Sequence, residues 1–134
     1  MCIDTIVHAS DVSNPIKEWG TCFKWTEVVM AEFWRQGDNE RDLKVPISYL
    51  CDRYTTNMAK AQGGFIGFVV KPIYELIGNF LPDLLPYMQN FTDNGDRWIK
   101  LIPEYDEKLS KFFSFLFIRA IGIGKIVKIK MIKS

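Results

Sequence analysis

Apolar residues recur along this chain at helical spacing, and the recurrence defines three stretches. From Ile16 to about Gly37, Trp19, Cys22, Phe23, Val29, Met30 and Phe33 fall three and four apart with Trp25 beside them, the stripe of an amphipathic helix. Gly37-Asp38 supplies a stop. Asn39 to Leu43 is polar surface, and Pro46 makes Val45 to Ser48 extended. The second stretch runs from Tyr49 to about Phe80, with Ala59, Gln62, Phe65, Ile66, Val69 and Val70 on one face. Gly63-Gly64 within it costs about 1 kcal/mol per residue against alanine, which points to close approach of a backbone or ligand. Pro72 kinks or divides this helix near Val70-Lys71, after which Ile73, Leu76, Ile77 and Phe80 continue the apolar face. Pro82 and Pro86 bracket a turn. The third stretch, Leu84 to Ile102, turns Leu85, Met88, Phe91, Trp98 and Leu101 inward and is interrupted at Asp93-Asn94-Gly95. Ile3 to His8 reads as the last turns of a helix. No strand pattern precedes residue 110 and no repeat is present, so the expected fold class is all-α, a compact helical bundle.

Composition narrows this further. The chain has 134 residues, 48% hydrophobic and 25% charged, enough for one core. Seventeen basic against sixteen acidic residues leave a net charge of +1, which speaks against a general nucleic-acid or membrane field. Cys2, Cys22 and Cys51 are odd in number and widely spaced, so they read as reduced thiols of a cytoplasmic protein rather than a disulfide or zinc framework. Met1 is followed by Cys2 and Asp4 with no basic or long apolar leader, so no signal peptide is expected. After residue 108 the pattern changes. Phe112 to Gly124 is apolar, carries Arg119, and is shorter than the ~20 residues of a membrane span; Lys125 to Lys133 then alternates lysine with Ile, Val and Met. Such an end can lie on a membrane surface. The favoured expectation is instead a tail, 109–134, that packs irregularly or stays unstructured and has no membrane partner, beside a unit spanning 1–108.

The stretch with the richest chemistry is His8-Ala9-Ser10-Asp11-Val12-Ser13-Asn14-Pro15. Pro15 pushes Asn14 out of the α region, which places Asp11 near a helix end. A carboxylate there serves as a helix-terminal acceptor, a buried hydrogen-bond partner or a ligand of a hard cation. The sole histidine, His8, reads as a structural residue rather than a ligand.

Together with Trp25-Thr26-Glu27, Glu32 to Asp38, Pro46-Ile47-Ser48, Cys51-Asp52-Arg53 and Gln62-Gly63-Gly64-Phe65-Ile66, this string resembles the catalytic domain of the class I 3',5'-cyclic nucleotide phosphodiesterases, from about Ile6 to about Ile102 and only over its C-terminal part. The resemblance implies hydrolysis of cAMP or cGMP to the 5'-monophosphate in signal transduction, with zinc and magnesium at the base of an all-helical pocket. Two such ions generate the attacking hydroxide and neutralise charge on the phosphoryl oxygens. It further implies that Asp11 is a metal ligand and that Gln62 hydrogen-bonds the purine edge, either purine being served by its amide. Phe65 would stack on the base opposite Val29, with Asn14, Phe33 and Leu50 on the pocket wall. Alone, Gln62 reads as a polar residue tolerated on a helix, Phe65, Phe33 and Leu50 as core, and Asn14 as a turn former. Two departures stand out: Tyr49-Leu50 replaces Pro-Met before Cys51-Asp52, and Gly67 replaces an Asp after Ile66.

The family's His-Asn-x-x-His and later His-Asp motifs are absent, and one carboxylate does not hold zinc without nitrogen partners. The expectation is therefore a fragment of a longer product, inactive alone, that is marginally stable or oligomerises because its apolar faces lack partners. The alternative is a non-catalytic helical module binding a nucleotide or a protein.

Overall fold

The computed structural model describes residues 3–132, with side chains described as far as Leu116 apart from Leu85. Its elements are α1 (Ile3–Asp11), a 3-10 turn (Asn14–Ile16), α2 (Trp19–Asp42), α3 (Met58–Phe65), a π-helical turn (Ile66–Val70), α4 (Lys71–Gly78), a second 3-10 turn (Pro82–Leu84) and α5 (Leu85–Ile132). The described residues hold helices and no strand, so the all-α expectation stands. Ala9, Met30, Met58, Ala59, Ile66, Val70, Tyr74, Ile77, Phe91 and Trp98 form the buried core, to which every helix contributes. Trp98 is fully enclosed, stacked on Phe23 at 5.4 Å and tilted against Trp19 at 4.9 Å. Such aromatic pairs add about 1 kcal/mol beyond the area they bury.

Several boundaries differ from those expected, each for a tertiary reason. Gly37 does not stop α2. A Cβ there would lie 1.9 Å from the carbonyl oxygen of Cys51, so the glycine lets the loop backbone press onto the helix flank. The helix ends five residues later, at Asp42, and just beyond it Lys44 adopts a left-handed φ of 57° while its N–H bonds Arg41 O and the Val45 N–H bonds Glu40 O. That is the Schellman arrangement, formed here without glycine.

The second helical region does not begin at Tyr49. Tyr49 to Asn57 is loop, and α3 starts at Met58 because the Asn57 side chain accepts the Lys60 N–H at 3.0 Å, an N-cap. Pro72 divides the region near Val70-Lys71 as expected, through a π turn. The Lys71 N–H reaches back to Ile66 O, and widening the turn relieves the clash a proline ring makes with the carbonyl four residues earlier.

Asp93-Asn94-Gly95 does not interrupt the last helix. Asn94 is buried and donates to Pro15 O at 2.8 Å and Lys17 O at 2.9 Å, while Asn90 donates to Ile16 O at 3.0 Å. Residues that favour turns in isolation are held in helix by the carbonyls of the 3-10 turn they satisfy. α5 also continues past Ile102 to Ile132, so the tail backbone is helical rather than irregular. No proline follows Pro103, and nothing in the Ile-, Phe- and Lys-rich run forbids helix. The inward placement expected of Leu85 falls outside the described side chains, as does Cys2 outside the described residues. Tyr74 closes the other end of the bundle: its hydroxyl donates to Ala9 O at 2.7 Å and joins α4 to α1. Burial pushes that phenol above its ordinary pKa.

Candidate functional site

The 43–57 loop is fastened to the C-terminal half of α2 by polar side chains. Glu40 accepts from the Ser48 hydroxyl at 2.6 Å and its backbone N–H at 2.7 Å. Those bonds, with one from Gln36, hold the Glu40 carboxyl below its usual pKa. Arg41 bridges Asp38 at 3.0 Å and Asp52 at 2.9 Å, and Arg53 pairs with Asp38. Asp52 also accepts the Tyr54 N–H at 2.9 Å. These bonds and the Gly37–Cys51 contact fix Leu50 at a φ of 65°. A side-chain-bearing residue there stores about 1–3 kcal/mol of strain, which the surrounding fastenings must hold.

Opposite this loop lies α3. Its N-terminus is joined to α5 through Asn57, whose amide donates to Ile102 O at 3.0 Å and Asp106 at 2.8 Å, and through Lys60, which pairs with Asp106 at 2.9 Å. The Asn57 bond first, and Lys60 next, hold the Asp106 carboxyl below its ordinary pKa. Between loop and helix is an open groove of about 760 Å³, walled by Tyr49, Leu50, Gly64, Phe65 and Phe68, with Lys60 and Asp106 among its polar lining.

Two of the residues expected at a site, Leu50 and Phe65, thus share one groove. Gln62 precedes Phe65 by less than a helical turn and is 93% buried, at 7% exposure. Its Oε1 is enclosed and has no hydrogen-bond partner among the described residues; the same holds for Thr26 Oγ1 and Trp34 Nε1. An unpaired buried amide oxygen costs about 1–3 kcal/mol. Val29 and Asn14 are half-buried, on α2 and in the first 3-10 turn, and Phe33 is at the edge of exposure; none of the three lines the groove, and Gln62 sits behind its wall rather than in it. Asp11 is the exposed last residue of α1. No group of three or more His, Cys, Asp or Glu side chains comes together among the described residues, so Asp11 has no companion ligands here and these residues do not complete a metal centre. His8 is likewise exposed on α1.

Sequence reasoning missed the polar end of the groove. Asn57 ahead of Met58-Ala59-Lys60 was a readable N-cap signal. Asp106, forty-nine residues further on, was not.

The model of the 3',5'-cyclic nucleotide phosphodiesterase family matches residues 1–91. The chain belongs to that family. It is 37% identical over 102 residues to 3',5'-cyclic-AMP phosphodiesterase 4C of Mus musculus, covering 75% of this chain and 15% of the relative. It is 44% identical over 75 residues to the dual specificity calcium/calmodulin-dependent 3',5'-cyclic nucleotide phosphodiesterase 1B of Bos taurus, covering 56% of this chain and 14% of that one. The solved structure of LmjPDEB1 in complex with IBMX superposes with a TM-score of 0.68 at 30% identity, over 75% of this chain and 30% of that chain. The chain therefore spans about one-seventh of the length of these curated relatives.

Proposed function

We propose that this phosphodiesterase-family chain forms the purine-binding part of a cyclic nucleotide phosphodiesterase. Residues 1–108 form the family unit and 109–134 an appendage. Gln62 carries the reading: a buried side-chain amide with an unpartnered oxygen is a standing demand for a donor, and a purine edge supplies one. Phe65, three residues further on, offers the face on which the base stacks. Leu50 narrows the groove across from it. Val29, Asn14 and Phe33 complete the wall of the pocket when the rest of the domain is present. The amide serves adenine or guanine by reorienting, so both cAMP and cGMP are substrates to test.

Asp11 supplies one carboxylate of a zinc- and magnesium-binding centre whose remaining ligands lie outside this chain. The chain alone is then inactive, and hydrolysis belongs to a longer product acting in cytoplasmic signalling. Cys22 and Cys51, both buried and unpaired, fit a reducing compartment. Exposed Ile3, Ile6 and Val7 on α1 and Trp25 and Val28 on α2 support self-association or pairing with the rest of the domain.

The test is hydrolysis of cAMP and cGMP with zinc and magnesium, by this chain and by the chain extended with the N-terminal part of a related catalytic domain. Activity in the extended form alone is expected, abolished by Asp11→Ala, and Gln62→Ala should weaken substrate use at least tenfold. Hydrolysis by the short chain would refute the placement of the metal ligand. The absence of three clustered metal-binding side chains among the described residues favours a second reading, a non-catalytic nucleotide-binding module. Calorimetric binding of cyclic nucleotide with no turnover in either form would select it.

A further inference from the structure

The net charge of +1 conceals a strong asymmetry. All sixteen acidic residues lie at or before Glu107. Beyond it the chain carries Lys108, Lys111, Arg119, Lys125, Lys128, Lys130 and Lys133 and no acidic side chain. This basic stretch is not a loose tail, since α5 runs unbroken through it to Ile132. α5 leaves the bundle near Phe112, whose ring stacks on Tyr54 at 5.1 Å. Immediately beyond, Phe113, Phe115 and Leu116 are 48%, 60% and 41% exposed. The helix is thus apolar where it leaves the body, and lysines stand on both sides of the apolar block: 108 and 111 before it, 125 to 133 after it.

From this juxtaposition we propose that residues 108–132 form a docking helix for an anionic lipid surface. The block from 112 to 124 is about 20 Å long at 1.5 Å per residue, too short for the ~30 Å hydrocarbon core. Among the described residues no helix is long and apolar enough to cross a membrane. The order along the helix suits one lying in the interface, with an apolar middle for the acyl boundary and lysines before and after it in sequence for the headgroup phosphates. A polyanion such as nucleic acid would satisfy the lysines but leave Phe113, Phe115 and Leu116 in water, so lipid is the partner both features fit. The acidic body is repelled by the same surface, which leaves the helix as the contact.

The experiment is co-sedimentation of the full chain with phosphatidylcholine vesicles, with and without about one-third phosphatidylserine. Binding is expected only with phosphatidylserine, and it should collapse between about 0.1 and 1 M salt. Each lysine near an anionic surface is worth about fivefold in affinity, so the quadruple variant Lys125→Glu, Lys128→Glu, Lys130→Glu, Lys133→Glu should lose at least a hundredfold. Phe113→Ser with Phe115→Ser should lose binding while leaving the bundle's circular dichroism and tryptophan fluorescence unchanged. Equal pelleting with and without phosphatidylserine overturns the proposal. So does a double Phe variant that binds normally, and in that case retention of the wild-type chain on heparin would assign the lysines to polyanion binding instead.

Discussion

The two halves of α5 reverse the usual association of apolar with buried. Its first half is rich in Asp, Asn and Gln yet is packed into the bundle: Phe91, Asn94 and Trp98 are all buried, and Asn90 and Asn94 satisfy the carbonyls of Ile16, Pro15 and Lys17. The second half is the most continuous apolar run of the chain, and its described residues Phe113, Phe115 and Leu116 are exposed. Burial follows a partner, not hydrophobicity. Phe91, Asn94 and Trp98 recur at the spacing of one helix face, and the first 3-10 turn and the start of α2 pack against Asn94 and Trp98, whereas Phe113, Phe115 and Leu116 stay exposed among the described residues.

That contrast has consequences of graded size. Trp98→Ala should cost about 4 kcal/mol, because it empties the site shared by Phe23 and Trp19; chemical denaturation followed by circular dichroism measures it. Gly37→Ala should cost about 3 kcal/mol by driving the Cys51 carbonyl off α2, and proteolysis within 43–57 should accelerate in parallel. Asn94→Ala should cost about 2 kcal/mol, since two carbonyls lose a buried donor, whereas the chain's own turn preference predicts a gain in helix on removing Asn. Leu116→Pro in the second half should shorten the helix seen by hydrogen exchange yet leave the denaturation midpoint of the bundle unchanged. A fall comparable to that of Trp98→Ala would mean the extension is part of the cooperative unit.

The smallest effect is a pH dependence. Glu40 and Asp106 have folded pKa values below their ordinary 4.5 and 3.8. Each therefore binds protons more weakly folded than unfolded, so its contribution is complete above the ordinary value and is lost as pH falls through the depressed one. Both carboxylates are at the surface, so the loss should be slight, visible as a lower melting temperature in acid that Asp106→Asn abolishes in part.

Much of this could be read along the chain. The periodicities at Trp19 to Phe33 and Ala59 to Val70 specify helices because one face must leave water, and that argument is local. The string around Asp11 and the Gln62–Phe65 spacing carried the family, since side-chain chemistry at fixed intervals survives without knowledge of packing. Boundaries did not read out. Gly37 looked like a stop and is a contact, Asp93-Asn94-Gly95 looked like a break and is a seam, and Asn57 was absorbed into a helix that it caps.

Each of those outcomes depends on a group far away in sequence. The Cys51 carbonyl, the Pro15 carbonyl and Asp106 satisfy or exclude a backbone or amide that local propensity left open, at separations of 14, 79 and 49 residues. Composition along the chain determined the all-helical class and the apolar faces, because burying apolar area is a property of the pattern itself. Which glycine touches, which asparagine is buried and which phenylalanine stays in water were decided only when the helices came together, because hydrogen bonds and steric contacts need a partner in a definite place.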